Sequence, residues 1–296
     1  MKGDCPLQRQ IICVAALFLC VLMPLFAKAK ADSSSPAMPE RVVALSKSVA
    51  DMWLLAGGRL SGTTSDALEL DGIDGAVSVG TLTTASLEAI VSLKPDLVLL
   101  TLDIPLHKKF VGTFRDLGIS TYIVNVKYFS DYEKVMRDFT DLTGRKDLFE
   151  KNVASVKRDI DAICALSQAQ RNRKEKAATY LFLRASATKN KVLKDHFGNE
   201  IFVNLGLQSI ISDESALDEV SVEAIVRADP AYIFVTSQGN QQKADEAFYR
   251  AYASNPAWKN LRAVKDGHVI MLPKDLFNYK PNAQWAKAYE YVLGVL

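Results

Sequence analysis

The chain has 296 residues, 49% of them hydrophobic, and carries 36 Lys and Arg against 34 Asp and Glu, a net charge of +2. Four of those cations (Lys2, Arg9, Lys28, Lys30) and one acid (Asp4) lie before residue 32, so the remainder holds 32 basic and 33 acidic residues, net −1. A near-neutral body excludes the broad cationic face that nucleic acid requires, and the single cysteine left after residue 31, Cys164, excludes an internal disulfide.

Residues 1–31 read as a secretory signal: Lys2 and Arg9, an apolar run from Ile11 to Phe26, then "AKAKA", whose small residues favour cleavage near Ala31. The run is short against the roughly 20 apolar residues of a membrane span, and retention as an anchor is the alternative. A bulky Leu19 before Cys20 argues against a lipoprotein. Residues 32–40, "DSSSPAMPE", read as a flexible leader.

From residue 41 short β-rich runs alternate with amphipathic stretches. "RVVALS" predicts a strand and "SVADMWLLAGG" a helix stopped by Gly57 and Gly58. "LSGTTSD" and "AVSVG" are short extended runs; "HKKFVGTFRDLG" is amphipathic and "STYIVNV" is a strand. "SDYEKVMRDFTDLTG" predicts a helix capped by Ser130 and ended by Gly144. Strand–helix alternation implies α/β layers with a mostly parallel sheet over 41–146.

Residues 147–171 lack Gly and Pro, and Phe149, Val153, Val156, Ile160, Ile163 and Leu166 recur as one buried stripe. Some two dozen helical residues make a rod of roughly 36 Å. "RNRKEK" breaks the stripe, and alternation resumes over 172–296: "ATYLFLRAS" a strand, "NEIFVNLG" a helix, "GHVIMLP" a strand, "NAQWAKAYEYVLGVL" a closing helix. The fold class expected is α/β, with two Rossmann-like lobes joined by one long helix.

Two phrases match without a gap at an offset of 135 residues: "SLEAIVSLKPDLVLL" from Ser86 and "SVEAIVRADPAYIFV" from Ser221. Each reads as a serine N-cap, a glutamate in the first turn, a proline stop and a core strand. Glu88 and Glu223 suit the positive end of a helix dipole, a role needing no partner and worth about 0.5 kcal/mol.

The order of "RVVALSKSVADMWLLAGG", the two repeated phrases, the long helix and "NPAWKNLRAVKDGHVIMLP" resembles the helical-backbone (class III) periplasmic substrate-binding proteins of ABC importers. These serve uptake of ferric siderophores, haem and cobalamin, and the similarity spans essentially the whole chain after residue 31. The resemblance implies that Glu88 and Glu223 dock on arginines of a permease dimer with its ATPase. It also implies no intrinsic cofactor, a bound iron(III) chelate, haem or cobalamin as cargo, and contact with the membrane only through the permease.

A ligand in this architecture would lie between the lobes, among loops at strand ends. Those loops supply Lys47, Lys108, Lys127, Tyr128, Arg184, Tyr279 and Lys280, cations and rings suited to a bulky anionic chelate. "SKS" replaces the "SPS" of many relatives, so Lys47 is itself a candidate contact. His107, His196 and His268 lie far apart in sequence and do not form a free-metal site, while His196 or a cleft tyrosine is a candidate axial haem ligand. No nucleophile elbow, P-loop or dinucleotide fingerprint supports an exported enzyme, the competing class. A receptor docking on a sensor would use the same glutamates.

Overall fold

Residues 38–171, 177–211, 222–253 and 255–296 are described in a computed structural model of the protein. The signal, most of the leader, the charged break after Arg171 and the Ser221 cap lie outside the described residues.

Short apolar runs in the first half form an all-parallel sheet. Its strands are β1 (Val42–Ala44), β2 (Gly62–Thr63), β3 (Val77–Ser78), β4 (Leu97–Leu100) and β5 (Ser120–Ile123), in the order β3-β2-β1-β4-β5. Every residue of β4 is buried, as expected for a strand covered on both faces. The connecting helices are α1 (Lys47–Leu55), α2 (Leu87–Ser92), α3 (Pro105–Asp116) and α4 (Phe129–Thr143). Ser46 and Ser86 cap α1 and α2 by accepting the amides of Val49 and Ala89. Ser130 does not cap α4. The carboxylate of Asp131 accepts the Lys127 and Tyr128 amides at 2.9 and 3.0 Å, and this charge-assisted contact starts the helix at Phe129, one residue before the serine. Gly144 ends α4 at φ 71°, a left-handed cap that costs glycine nothing.

The linking rod begins one residue earlier than the stripe predicts, with α5 (Lys146–Phe149). It passes through a π turn (Glu150–Ala154) and continues as α6 (Ser155–Arg171). Val153, Val156, Ile160 and Ile163 are buried, but Leu166 is 58% exposed. Two successive three-residue steps from Ile160 rotate a side chain roughly 120° off the stripe. Ser167, four residues beyond Ile163, takes the buried place instead and donates its hydroxyl to the Leu205 carbonyl at 3.0 Å. The π turn is anchored by Asn152, whose amide donates to the Leu55 carbonyl at 2.8 Å.

The second half repeats the plan with a mixed edge. Its elements are β6 (Thr179–Ala185), β7 (Asn190–Val192), α7 (Gly198–Asn204), β8 (Gln208–Ser209), α8 (Val222–Ala228) and β9 (Tyr232–Ser237). They continue with α9 (Gln241–Ala253), α10 (Pro256–Lys259), α11 (Arg262–Lys265), β10 (Val269–Met271), α12 (Lys274–Phe277) and α13 (Trp285–Leu293). The order is β10-β9-β6-β7, with β8 also on β6, and among the described strands β7 alone runs antiparallel. His268 precedes β10 rather than lying in it; its Nδ1 meets the Ala231 carbonyl and its ring stacks on Tyr232 at 4.5 Å.

One hydrophobic core runs through both halves, from Val42, Trp53 and Phe139 to Phe202, Phe234 and Val292. Trp285, fully buried, joins them: Phe129 of the first half and Phe197 of the second meet its ring edge-on at 5.8 and 5.5 Å.

Candidate functional site

Because the first sheet is parallel, its strands deliver their following loops to one edge, the usual ligand edge of an open α/β sheet. Ser46 and Lys47 follow β1, Thr64 and Asp66 follow β2, Leu102 and Asp103 follow β4, and Lys127 and Tyr128 follow β5. From the second half come Arg184 near the end of β6, Asp195 and His196 before α7, and Lys274, Tyr279 and Lys280 after β10.

The halves meet at several of these positions. Lys127 Nζ donates to Asp195 Oδ2 at 2.5 Å. The Phe129 amide donates to Glu200 Oε2 at 2.8 Å, so α7 supplies a carboxylate to the start of α4. The Lys280 amide donates to the Ser48 hydroxyl at 3.2 Å, and Asn282 Nδ2 donates to Ser48 O and Asp51 Oδ2 at 2.9 and 2.7 Å. Lys47 Nζ stands 5.3 Å from the centre of the Tyr279 ring, and Lys274 shares that ring at 5.4 Å.

Arg184, Lys280 and His196 form the electrostatic centre. Burial lowers the pKa of Lys280, Asp103 counteracts that shift, and the Arg184 charge adds to it. Burial also lowers the pKa of Arg184, whose Nε is buried without a hydrogen-bond partner among the described residues. Two half-buried cations close enough for the charge of one to act on the other are costly unless an anion meets them. Burial, then Arg184 and Lys280, lower the pKa of His196 to about 3, so the ring is neutral at ordinary pH. Its Nδ1 accepts the Gly198 amide at 3.1 Å, which puts the proton on Nε2. Neither nitrogen then offers a lone pair to a metal, and the rings of Phe182 and Phe197 pack against it. The axial-ligand role considered for His196 does not fit this environment.

Of the expected contacts, Lys47, Lys127, Arg184, Tyr279 and Lys280 lie where the halves meet. Tyr128 is 54% exposed beside Lys127. Lys108 sits on an exposed turn of α3, while its neighbour His107 turns inward to the Thr101 carbonyl at 3.1 Å. Sequence reasoning missed Asp103, Asp195, Glu200 and Asn282. Only Asn282, at φ 49° between a proline and a helix, has a local signal of turn chemistry in "KPNAQW". Glu88 and Glu223 both occupy the second position of their helices and are exposed. No group of His, Cys, Asp and Glu that could hold a metal occurs among the described residues, and no described helix is long and apolar enough to cross a membrane.

This two-sheet arrangement with a helical brace defines a class of bilobal binding proteins. Residues 42–276 match the periplasmic binding protein family, and the chain belongs to it. The Fe(3+)-citrate-binding protein YfmC of Bacillus subtilis is 27% identical over 201 residues, covering 67% of this chain and 60% of that protein. The chain's match therefore spans less than two thirds of that relative. The putative ABC transporter substrate-binding lipoprotein YhfQ of the same organism is 24% identical over 277 residues, covering 86% of this chain and 82% of YhfQ. The crystal structure of the periplasmic vitamin B12 binding protein BtuF of Vibrio cholerae has a TM-score of 0.71 at 20% identity, covering 88% of this chain and 97% of that one. That likeness is one of fold.

Proposed function

We propose that this chain is an extracytoplasmic receptor without enzymatic activity, which captures an anionic iron(III) chelate, most simply a ferric siderophore or ferric carboxylate, between its lobes. It hands the chelate to an ABC permease dimer driven by its ATPase. The observation that carries the ligand class is the pair of desolvated cations Arg184 and Lys280, the first with an unpartnered buried Nε. Lys47, Lys127, Tyr128 and Tyr279 complete the contact set, and Lys108 serves only a ligand large enough to reach α3. YfmC, a ferric citrate binder by name, supports an iron chelate. The fold shared with BtuF keeps cobalamin as the alternative cargo, with haem beside it.

Glu88 and Glu223 are the proposed docking points, one on each repeated phrase, steering encounter and register more than affinity. Cleavage near Ala31 releases the chain into the periplasm, and Leu19 before Cys20 does not suit lipidation. YhfQ is a lipoprotein by name, so the intact mass of the mature protein decides the point.

Purification from the native host, with an absorbance spectrum and mass spectrometry of the co-purifying molecule, tests the ligand. A siderophore charge-transfer band supports the reading, whereas a Soret or cobalamin spectrum replaces the cargo. Glu88→Ala with Glu223→Ala should leave binding intact and abolish uptake. Loss of binding in that double variant would overturn the docking assignment, and so would unchanged uptake.

A further inference from the structure

The Lys127–Asp195 contact joins two loops that are each pinned by their own hydrogen bonds. Asp131 holds the Lys127 and Tyr128 amides. On the other side Asn199 Nδ2 donates to the Leu193 and Lys194 carbonyls at 2.8 and 2.9 Å, and His196 accepts the Gly198 amide. The two side chains therefore meet at 2.5 Å because their backbones are held in place, although 46% and 71% of them remain open to water. A pair this exposed contributes little to holding lobes together. Lys127 is nevertheless one of the cations beside the ligand edge, and Asp103 favours the charged form of both Lys127 and Lys280.

We infer that Asp195 is a specificity-determining residue: its carboxylate occupies Lys127, and an anionic ligand must replace it there. This deepens the chelate reading and rests on it. A chelate bearing carboxylate or phenolate oxygens exchanges one charge-assisted hydrogen bond for another. A neutral chelate would leave Lys127 with Asp195 and gain nothing at that position. The carboxylate so acts as an internal competitor, and the site favours ligands that bring their own negative charge.

The test has two arms. In the ligand-free arm, amide hydrogen exchange is followed over residues 126–131 and 193–199. Because each loop is pinned by its own hydrogen bonds, Asp195→Asn and the swap Lys127→Asp with Asp195→Lys should both exchange as slowly as wild type, so that their affinities report the charge at Lys127 alone. Faster exchange in Asp195→Asn would show that the pair holds the loops in place rather than merely occupying Lys127, and overturns the inference. In the ligand arm, ferric citrate, haem and cyanocobalamin are titrated into wild type and variants. Asp195→Asn should bind the anionic probes about two- to fivefold more tightly, the span of an exposed ion pair, and leave cyanocobalamin unchanged. The charge swap should bind the anionic probes more weakly than wild type despite its restored bridge. Equal or weaker anion binding by Asp195→Asn overturns the inference alone. Failure of every probe on every variant overturns the chelate reading and the competition with it.

Discussion

The two copies of the helix–proline–strand phrase are built alike and edged differently. In each, the residue before the proline is left-handed without being glycine: Lys94 at φ 48° and Asp229 at φ 42°, 135 positions apart. In each, an arginine bonds the carbonyl of that residue, Arg41 to Lys94 O at 2.6 Å and Arg262 to Asp229 O at 3.1 Å. The strain of turning an L-residue into this region, of order 1–2 kcal/mol, is met by the same device twice. The edges diverge. The first half presents the exposed groups Leu68, Leu102 and Tyr128 beside Lys47 and the exposed Lys127 near its strand ends, whereas the second presents the half-buried cations Arg184 and Lys280. The shared device makes the turn, and the differing rim residues give the two walls their chemistry.

The comparison breaks hardest in the core. Trp53 meets Phe139 edge-on at 5.2 Å in the first half, and Phe202 stacks on Phe234 at 4.3 Å in the second. Trp53→Ala and Phe202→Ala should each cost about 3–5 kcal/mol in urea unfolding. Because one core joins both halves, each variant should unfold in a single transition; two separate transitions would show that the halves are independent.

His196 gives the next effect. It stays neutral in the fold down to about pH 3 but titrates near 6.5 when unfolded. Its contribution is therefore complete above pH 6.5 and is lost as the pH falls towards 3, by up to about 1.4 kcal/mol per pH unit. Glu200 and Asp51 have carboxyl pKa values raised by burial and act in the opposite sense, favouring the fold as they protonate. His196→Asn, whose Oδ1 can accept the Gly198 amide in place of Nδ1, should flatten the acid limb of the stability–pH curve. An unaltered slope would place the acid sensitivity elsewhere.

The smallest effect separates the two turns. Lys94→Gly should raise stability by about 0.5–1 kcal/mol, since glycine removes the left-handed strain and the Arg41 contact is to backbone. Asp229→Gly should gain nothing, because Asp229 Oδ1 also accepts the Arg262 amide at 2.8 Å. Thermal melts of the pair report the difference, and equal shifts would contradict it.

The architecture was legible because it follows from periodicity and punctuation. The prolines at 95 and 230, Gly144 and the stripe through Ile163 each act locally, and the structure keeps them. Leu166 and Ser130 misled for the same reason: their places were set by competitors, Ser167 and Asp131, that pattern reading did not weigh. The site was legible as a set of loops but not as contacts. Lys127 with Asp195 and Phe129 with Glu200 lie 68 and 71 residues apart, and no local signal pairs them. The burial of Arg184 likewise comes from residues packed around β6 by other segments.

Trp285 lies in the last quarter of the chain, yet its ring is enclosed by Phe129 on one side and Phe197 on the other. A gene truncated after the rod would leave Phe129 and its neighbours facing water, and one starting after the rod would leave Trp285 half clothed. Neither fragment is expected to fold alone, but co-expressed fragments should find each other, so the molecule can be cut in two only if both pieces are supplied.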